Sequence, residues 1–218
     1  MHHELQVFAD VDSLAKSAAR FIAALATEVV AATGRCNIAM SGGNTPWAML
    51  SELAALELPW KSIVIYQVDE RIAPPGDPAR NLTHLERCLK DVHPSIVKMP
   101  VNETDLEAAS AHYGLGLPER IDLIHLGLGA DGHTASLIPG DRVLEVTDRL
   151  IAISGEYQKY RRMTFTYPAL ERANQILWLV TGSDKQRPLS ELLHGDTSIP
   201  AGQVRAARSL IMTDSAAK

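Results

Sequence analysis

Apolar positions along the chain fall into two rhythms. Short strand-like runs occur at "IAM" after Cys36, "SIVIYQV" (62–68), "IDLIHLGL" (121–128), "LIAIS" (150–154), "RMTFTY" (162–167), "ILWLV" (176–180) and "SLIM" (209–212). Stretches with helical spacing lie between them. Residues 12–32 form a long Ala-rich amphipathic pattern closed by Gly34, and Pro46 sits in the first turn of a second helix. Thr104 and Glu107 have the spacing of a capping box before "LEAASAHY". Near-continuous apolar strands alternating with helices predict an α/β fold, a mostly parallel sheet covered by helices on both faces. No linker or internal repeat interrupts the pattern, so a single domain over residues 1–218 is expected.

Charge and composition narrow the function. The net charge is −5, and no Lys/Arg block runs along any helix, which argues against a nucleic-acid partner. Cys36 and Cys88 lie in a strand and a helical stretch without metal-ligand or C-x-x-C spacing. Buried thiols in a reducing compartment are expected, with no disulfide and no metal site. The N-terminus "MHHELQVFAD" has no signal-peptide pattern, and no apolar run reaches the roughly 18 residues that span a bilayer. A cytoplasmic protein without a membrane partner is the expectation; oligomeric state is not legible.

The stretch "GLGADGHTASLIPG" (127–140) poses the main functional question. Gly127, Gly129 and Gly132 have the G-x-G-x-x-G spacing of a dinucleotide turn after an apolar strand. Such a turn must open a crossover helix of roughly ten or more residues, and Pro139 and Gly140 end the segment too soon. The glycines instead let backbone approach a ligand and carry His133 across a strand end. On the residues alone, His133 either faces a cleft or merely satisfies turn groups.

Other residues bear on that choice. "SGGNTP" (41–46) runs from a buried strand into a helix, so the amides around Ser41, Gly42, Gly43, Asn44 and Thr45 form a nest suited to phosphate. "DERIAPPGDPARN" (69–81) is a long Pro/Gly loop directly after a strand, and it brings Asp69 and Arg71 to that strand's end. Arg162 opens "RMTFT", and Lys185 in "TGSDK" lies at the start of a late helix. Three cations, an amide nest and one histidine describe a site for a phosphorylated small molecule.

In this order and over most of the chain, "SGGNTP", "DERIAPPGDPARN", "GLGADGHTASLIPG", "RMTFT" and "TGSDK" resemble the 6-phosphogluconolactonase family. The resemblance implies the α/β fold shared with glucosamine-6-phosphate deaminases and ribose-5-phosphate isomerases. It also implies hydrolysis of 6-phospho-D-glucono-1,5-lactone in the oxidative pentose phosphate pathway, with no cofactor. The chain departs from the family pattern at Arg80, where Ser is usual, at Ile138, where Phe is usual, and in "GEYQKYR" (155–161). It also lacks the usual Trp before Asp214.

Opening a lactone with water needs a base and donors for the developing oxyanion. His133 is the candidate base, an imidazole's ordinary pKa of about 6.5 leaving neutral ring available. Amides of the glycine turn are the candidate oxyanion donors, and substrate binding is expected at Ser41, Gly42, Gly43, Asn44, Thr45, Asp69, Arg71, Gly129, Arg162 and Lys185. Asp131 either orients the imidazole or caps the turn. Ser136 lies three positions from His133, in what reads as a short helix, but without a G-x-S-x-G elbow direct attack by water is preferred to a covalent route. Two rivals stand beside the lactonase: an aminosugar-phosphate deaminase of the same fold, and a catalytically silent sugar-phosphate sensor.

Overall fold

The computed structural model describes residues 2–218. The chain runs β1 (Glu4–Phe8), α1 (Val11–Thr33), β2 (Cys36–Met40), α2 (Asn44–Ala54), β3 (Ile63–Gln67), β4 (Asp69–Arg71), α3 (Asn81–Cys88), β5 (Ser95–Val97) and α4 (Leu106–Leu115). It continues as β6 (Leu123–Gly127), β7 (Ile151–Ile153), β8 (Arg162–Phe165), α5 (Tyr167–Leu170), β9 (Gln175–Val180), α6 (Gln186–Leu193), α7 (Pro200–Gln203) and β10 (Arg208–Asp214).

Seven strands form a parallel sheet in the order β1-β10-β9-β6-β2-β3-β5. Its central strands are mostly apolar because both faces are covered. Alternate residues enter two separate cores: Ile63 and Ile65 of β3 pack with Leu14 and Ile22 of α1, while Val64 and Tyr66 join Tyr113 of α4 and Phe165. In β9, Leu177 and Leu179 face the first core, and Ile176, Trp178 and Val180 face the second.

The topology places the site. The strand β2 lies between β3 and β6, and β9 follows β6, so the chain leaves the carboxyl ends of four adjacent strands on one edge. Such an edge, where strand order reverses, is where open α/β sheets bind ligands. Immediately after β3 the chain turns into β4, which pairs antiparallel with β8, and β8 pairs with β7. This small sheet is separate from the parallel one. Phe165 N–H donates to Val68 O at 2.8 Å, joining β8 to the strand end from which β4 departs.

Several expectations need correction. The runs at 150–154 and 162–167 are strands, but they belong to the small antiparallel sheet, and the second ends at Phe165, with Thr166 at the N-cap of α5. Residues 69–71, read as loop, are β4. The edge strands β1 and β5 were not expected; each exposes part of its length, which breaks the continuous apolar signal. The cap of α4 is Asp105, whose carboxylate accepts from Ala108 N–H at 3.0 Å, so the capping-box reading at Thr104 is displaced by one residue. Cys36 is buried, but Cys88 is only half-buried, at the end of α3.

Candidate active site

A cleft of about 200 Å³ opens at the shared strand edge. Ser41 and Gly42 reach it from the end of β2, Asp69 and Arg71 from β4, Gly129 and His133 from the loop after β6, Arg162 from β8, and Lys185 from the segment before α6. Thus eight of the sequence-derived site residues line one cavity. Gly43 and Asn44 line an adjoining groove with Trp47 and His84, and Asp131 stands behind His133. Thr45 lines neither cavity; its hydroxyl pairs with Thr181 at 2.8 Å.

The histidine loop is held by its own backbone. Gly129 N–H donates to His133 O at 2.8 Å, and Gly132 N–H donates to Gly129 O at 3.0 Å. These two amides are therefore committed inside the loop, which removes them as the oxyanion donors expected from the sequence. Gly132 has φ of +81°, a left-handed conformation that glycine adopts without steric cost.

Asp131 does both jobs that the sequence left open. Its Oδ1 accepts from His133 N–H at 3.2 Å, capping the turn, and also binds His133 Nδ1 at 2.5 Å. A carboxylate only accepts, so Nδ1 carries a proton and donates to Asp131, which in the neutral imidazole leaves the lone pair on Nε2. Partial burial works to raise the carboxyl pKa of Asp131, but the His133 contacts and the Tyr157 hydroxyl outweigh it and lower the pKa overall.

The cations are held differently from one another. Arg162 is buried, its Nε has no protein partner, and its guanidinium carbon lies 5.1 Å from the Tyr157 ring centroid. Burial, followed by repulsion from Arg71, lowers its pKa, with Asp69 opposing. Arg71 donates to Asn81 Oδ1, and Asn81 Nδ2 donates to Asp69 O and Oδ1 at 2.9 and 3.0 Å. Lys185 is paired with Asp184 at 2.7 Å at the cleft rim. The Gly182 turn before it is fixed by Asp214, whose carboxylate accepts from Gly182 N–H at 3.1 Å.

Three residues in or behind the cleft were not singled out as site residues. Asn81 positions Arg71 as above. Glu70, fully buried, accepts from the backbone N–H groups of Arg71, Asn81 and Leu82 at 2.8–2.9 Å and forms an ion pair with Arg80 at 3.0 Å. Arg80 is thus buried structure; it also donates to Ala73 O and Asn102 Oδ1. Tyr157 comes from the divergent 155–161 segment and donates its hydroxyl to Asp131 Oδ2 at 3.2 Å.

Ser136 is not in a helix. It follows Ala135 (φ +50°) in an irregular turn, is fully buried, and donates to Asp69 Oδ2 at 2.6 Å. Among the described residues no cluster of His, Cys, Asp or Glu has the arrangement of a metal site, and no helix is long and apolar enough to cross a membrane.

Residues 9–212 match the family of glucosamine-6-phosphate isomerases and 6-phosphogluconolactonase. The chain belongs to this family. It is 36% identical over 184 residues to a 6-phosphogluconolactonase of Synechocystis sp., covering 76% of this chain and 75% of the relative. To that of Rhizobium meliloti it is 33% identical over 205 residues, 88% of each. The fold is that of a Shewanella baltica 6-phosphogluconolactonase, with a TM-score of 0.88 at 22% identity and 98% coverage of both chains. A monomeric glucosamine-6-phosphate deaminase superposes with a TM-score of 0.83 at 19% identity and 98% coverage of both chains. Both branches of the family therefore share this architecture, and the choice between them rests on the site and on the sequence relatives.

Proposed function

We propose that the protein hydrolyses 6-phospho-D-glucono-1,5-lactone to 6-phosphogluconate. The observation that carries the reading is the His133–Asp131 pair at the rim of a cleft lined by Arg71, Arg162 and Lys185. With Nδ1 engaged by Asp131, Nε2 is the nitrogen left to take a proton from water. The water oxygen bonds to the lactone carbonyl carbon, the carbonyl oxygen takes on negative charge, and the bond to the ring oxygen then breaks as that oxygen takes the proton back from His133 Nε2. Imidazolium formed in the first step is stabilised by Asp131.

Arg71, Arg162 and Lys185 supply positive charge for the phosphate and for the oxyanion, in a cavity where such contacts are less screened than at the surface. Ser41 supports a polar ligand as well: it is buried, it lines the cleft, and its hydroxyl has no protein partner. Relatives at 33–36% identity bear the lactonase name, which favours this reading over the deaminase.

The test is the loss of freshly prepared 6-phosphogluconolactone above its spontaneous hydrolysis, measured beside ammonia release from glucosamine 6-phosphate. Lactone turnover without ammonia supports the proposal. Ammonia release would assign the deaminase, and binding without turnover of either would assign a sensor. His133→Ala should lower kcat by roughly 10² to 10⁴, the usual worth of a general base.

A further inference from the structure

The segment between β7 and β8 departs from the family pattern, yet it touches the site at three points through one residue. Tyr157 and Tyr160 close a tight turn, Tyr157 N–H donating to Tyr160 O at 2.9 Å and Tyr160 N–H to Tyr157 O at 3.2 Å. The two residues between them, Gln158 and Lys159, have φ of +50° and +72°. Tight hairpin turns of this kind normally use Gly or Asn, so Gln158 and Lys159 are held there against their backbone preference. The turn nevertheless holds Tyr157 half-buried against the cleft.

The phenol hydroxyl donates to Asp131 Oδ2, the oxygen that His133 does not use. The ring meets the His133 imidazole edge to face, with centroids 5.3 Å apart and planes at 67°. Over the ring lies the Arg162 guanidinium at 5.1 Å, and Arg162 Nη2 donates to the Tyr157 carbonyl at 3.4 Å. One side chain therefore contacts the base, the group behind the base and a cleft cation.

We propose that Tyr157 is a positioning residue for the hydrolysis, fixing the Asp131 carboxylate behind His133 with its hydroxyl and seating the Arg162 guanidinium on its ring. This rests on the assignment of His133 as the base. Burial, and then the charge of Asp131, push the Tyr157 phenol up, so it keeps its proton and acts as donor throughout the neutral range. Its hydrogen bond draws charge from Oδ2, which tempers the pull of Asp131 on the proton at His133. Loss of the hydroxyl leaves the full carboxylate charge on the imidazole and favours its protonated, inactive form. The other charged groups lining the cleft with His133 are Asp69 and Arg71 from β4, Arg162 from β8 and Lys185 before α6, and none of them changes in this substitution.

The two contacts separate by substitution. Tyr157→Phe removes the hydroxyl and keeps the ring; Tyr157→Leu removes both. In the full chain acting on 6-phosphogluconolactone, Tyr157→Phe should lower kcat about fivefold, move the acidic limb of kcat/KM to higher pH, and leave KM within about twofold. Tyr157→Leu should in addition raise KM about fivefold, as expected for a displaced cation contact. A Tyr157→Phe enzyme with wild-type kcat and pH profile, or one that loses activity with an unmoved profile, overturns the proposal while an inactive His133→Ala leaves the base assignment standing. Full activity of folded His133→Ala overturns both. If Tyr157→Leu does not fold, the Tyr157→Phe profile decides alone.

Discussion

The imidazole of His133 occupies the space that a side chain at Gly129 would fill. A Cβ built at Gly129 overlaps His133 Nδ1 and lies 2.6 Å from Asp131 Oδ1. The glycine is therefore required by contact with His133 and Asp131, since its φ is not among the positive values. Gly129→Ala should fold, because the strand before it is unaffected, but it must displace the ring or break the bond to Asp131. We expect kcat to fall at least tenfold, with circular dichroism unchanged. Wild-type kcat would show that the loop relaxes without cost to the base.

The two arginines of "YRRMTFT" differ in placement, Arg162 opening β8 and Arg161 preceding it. Arg162 is buried in the cleft opposite Arg71, its register partner, whereas Arg161 is exposed. Arg162→Ala should cut kcat/KM tenfold or more, a loss of at least about 1.4 kcal/mol, and Arg161→Ala should stay within about twofold. The opposite order of effects, read from steady-state kinetics of the two variants, would place the substrate on the other face of the strand.

How much of this was legible follows the physics of each signal. Strands buried on both faces, such as Ile63–Gln67 and Gln175–Val180, announce themselves as apolar runs. The edge strand Glu4–Phe8 exposes Glu4 and Val7 and is interrupted by Gln6, so no continuous apolar run marks it. Glycine turns that follow buried strands gave Ser41, Gly42, Gly129 and His133, because the turn and the strand end are local patterns. Asn81 and Tyr157 reach the site through contacts to Asp69 and Asp131, 12 and 26 residues away, which no spacing rule encodes. A signal was present in the second case: an aromatic residue inside a segment that breaks the family pattern just before Arg162.

Glu70 and Arg80 form a buried pair that ties β4, which carries Arg71, to the start of α3. Glu70 caps α3 from outside by accepting the N–H groups of Asn81 and Leu82, since Arg80 at the N-cap makes no side-chain cap bond. The Arg80 Nε approaches Glu70 Oε2 at 3.0 Å, off the direction of an aligned hydrogen bond. Removing one member leaves the other charge buried, so Arg80→Ser and Glu70→Gln should each cost roughly 3 kcal/mol. The double variant should cost less than the sum, giving a coupling energy of about 1 kcal/mol or more in a denaturant double-mutant cycle. Strict additivity would show that the two act independently.

Stability should also record a histidine that takes no part in the chemistry. His125 lies in β6, wholly buried, and burial lowers its pKa to about 3, with a contact to the Ser41 backbone opposing. An unfolded histidine titrates near 6.5, so between about pH 6.5 and 3 the unfolded chain binds a proton that the native one refuses. This residue therefore contributes nothing adverse above pH 6.5, and stability falls as pH drops below it, by up to about 1.4 kcal/mol per pH unit. His3, lowered to about 4 chiefly by burial, adds to the same slope over the upper part of the window. His125→Leu has no proton to bind in either state and should flatten the loss of unfolding free energy between pH 6 and 4 by roughly one proton's worth, measured by urea denaturation. An unchanged slope would mean that His125 accepts its proton in the folded protein, with the sheet opening around it.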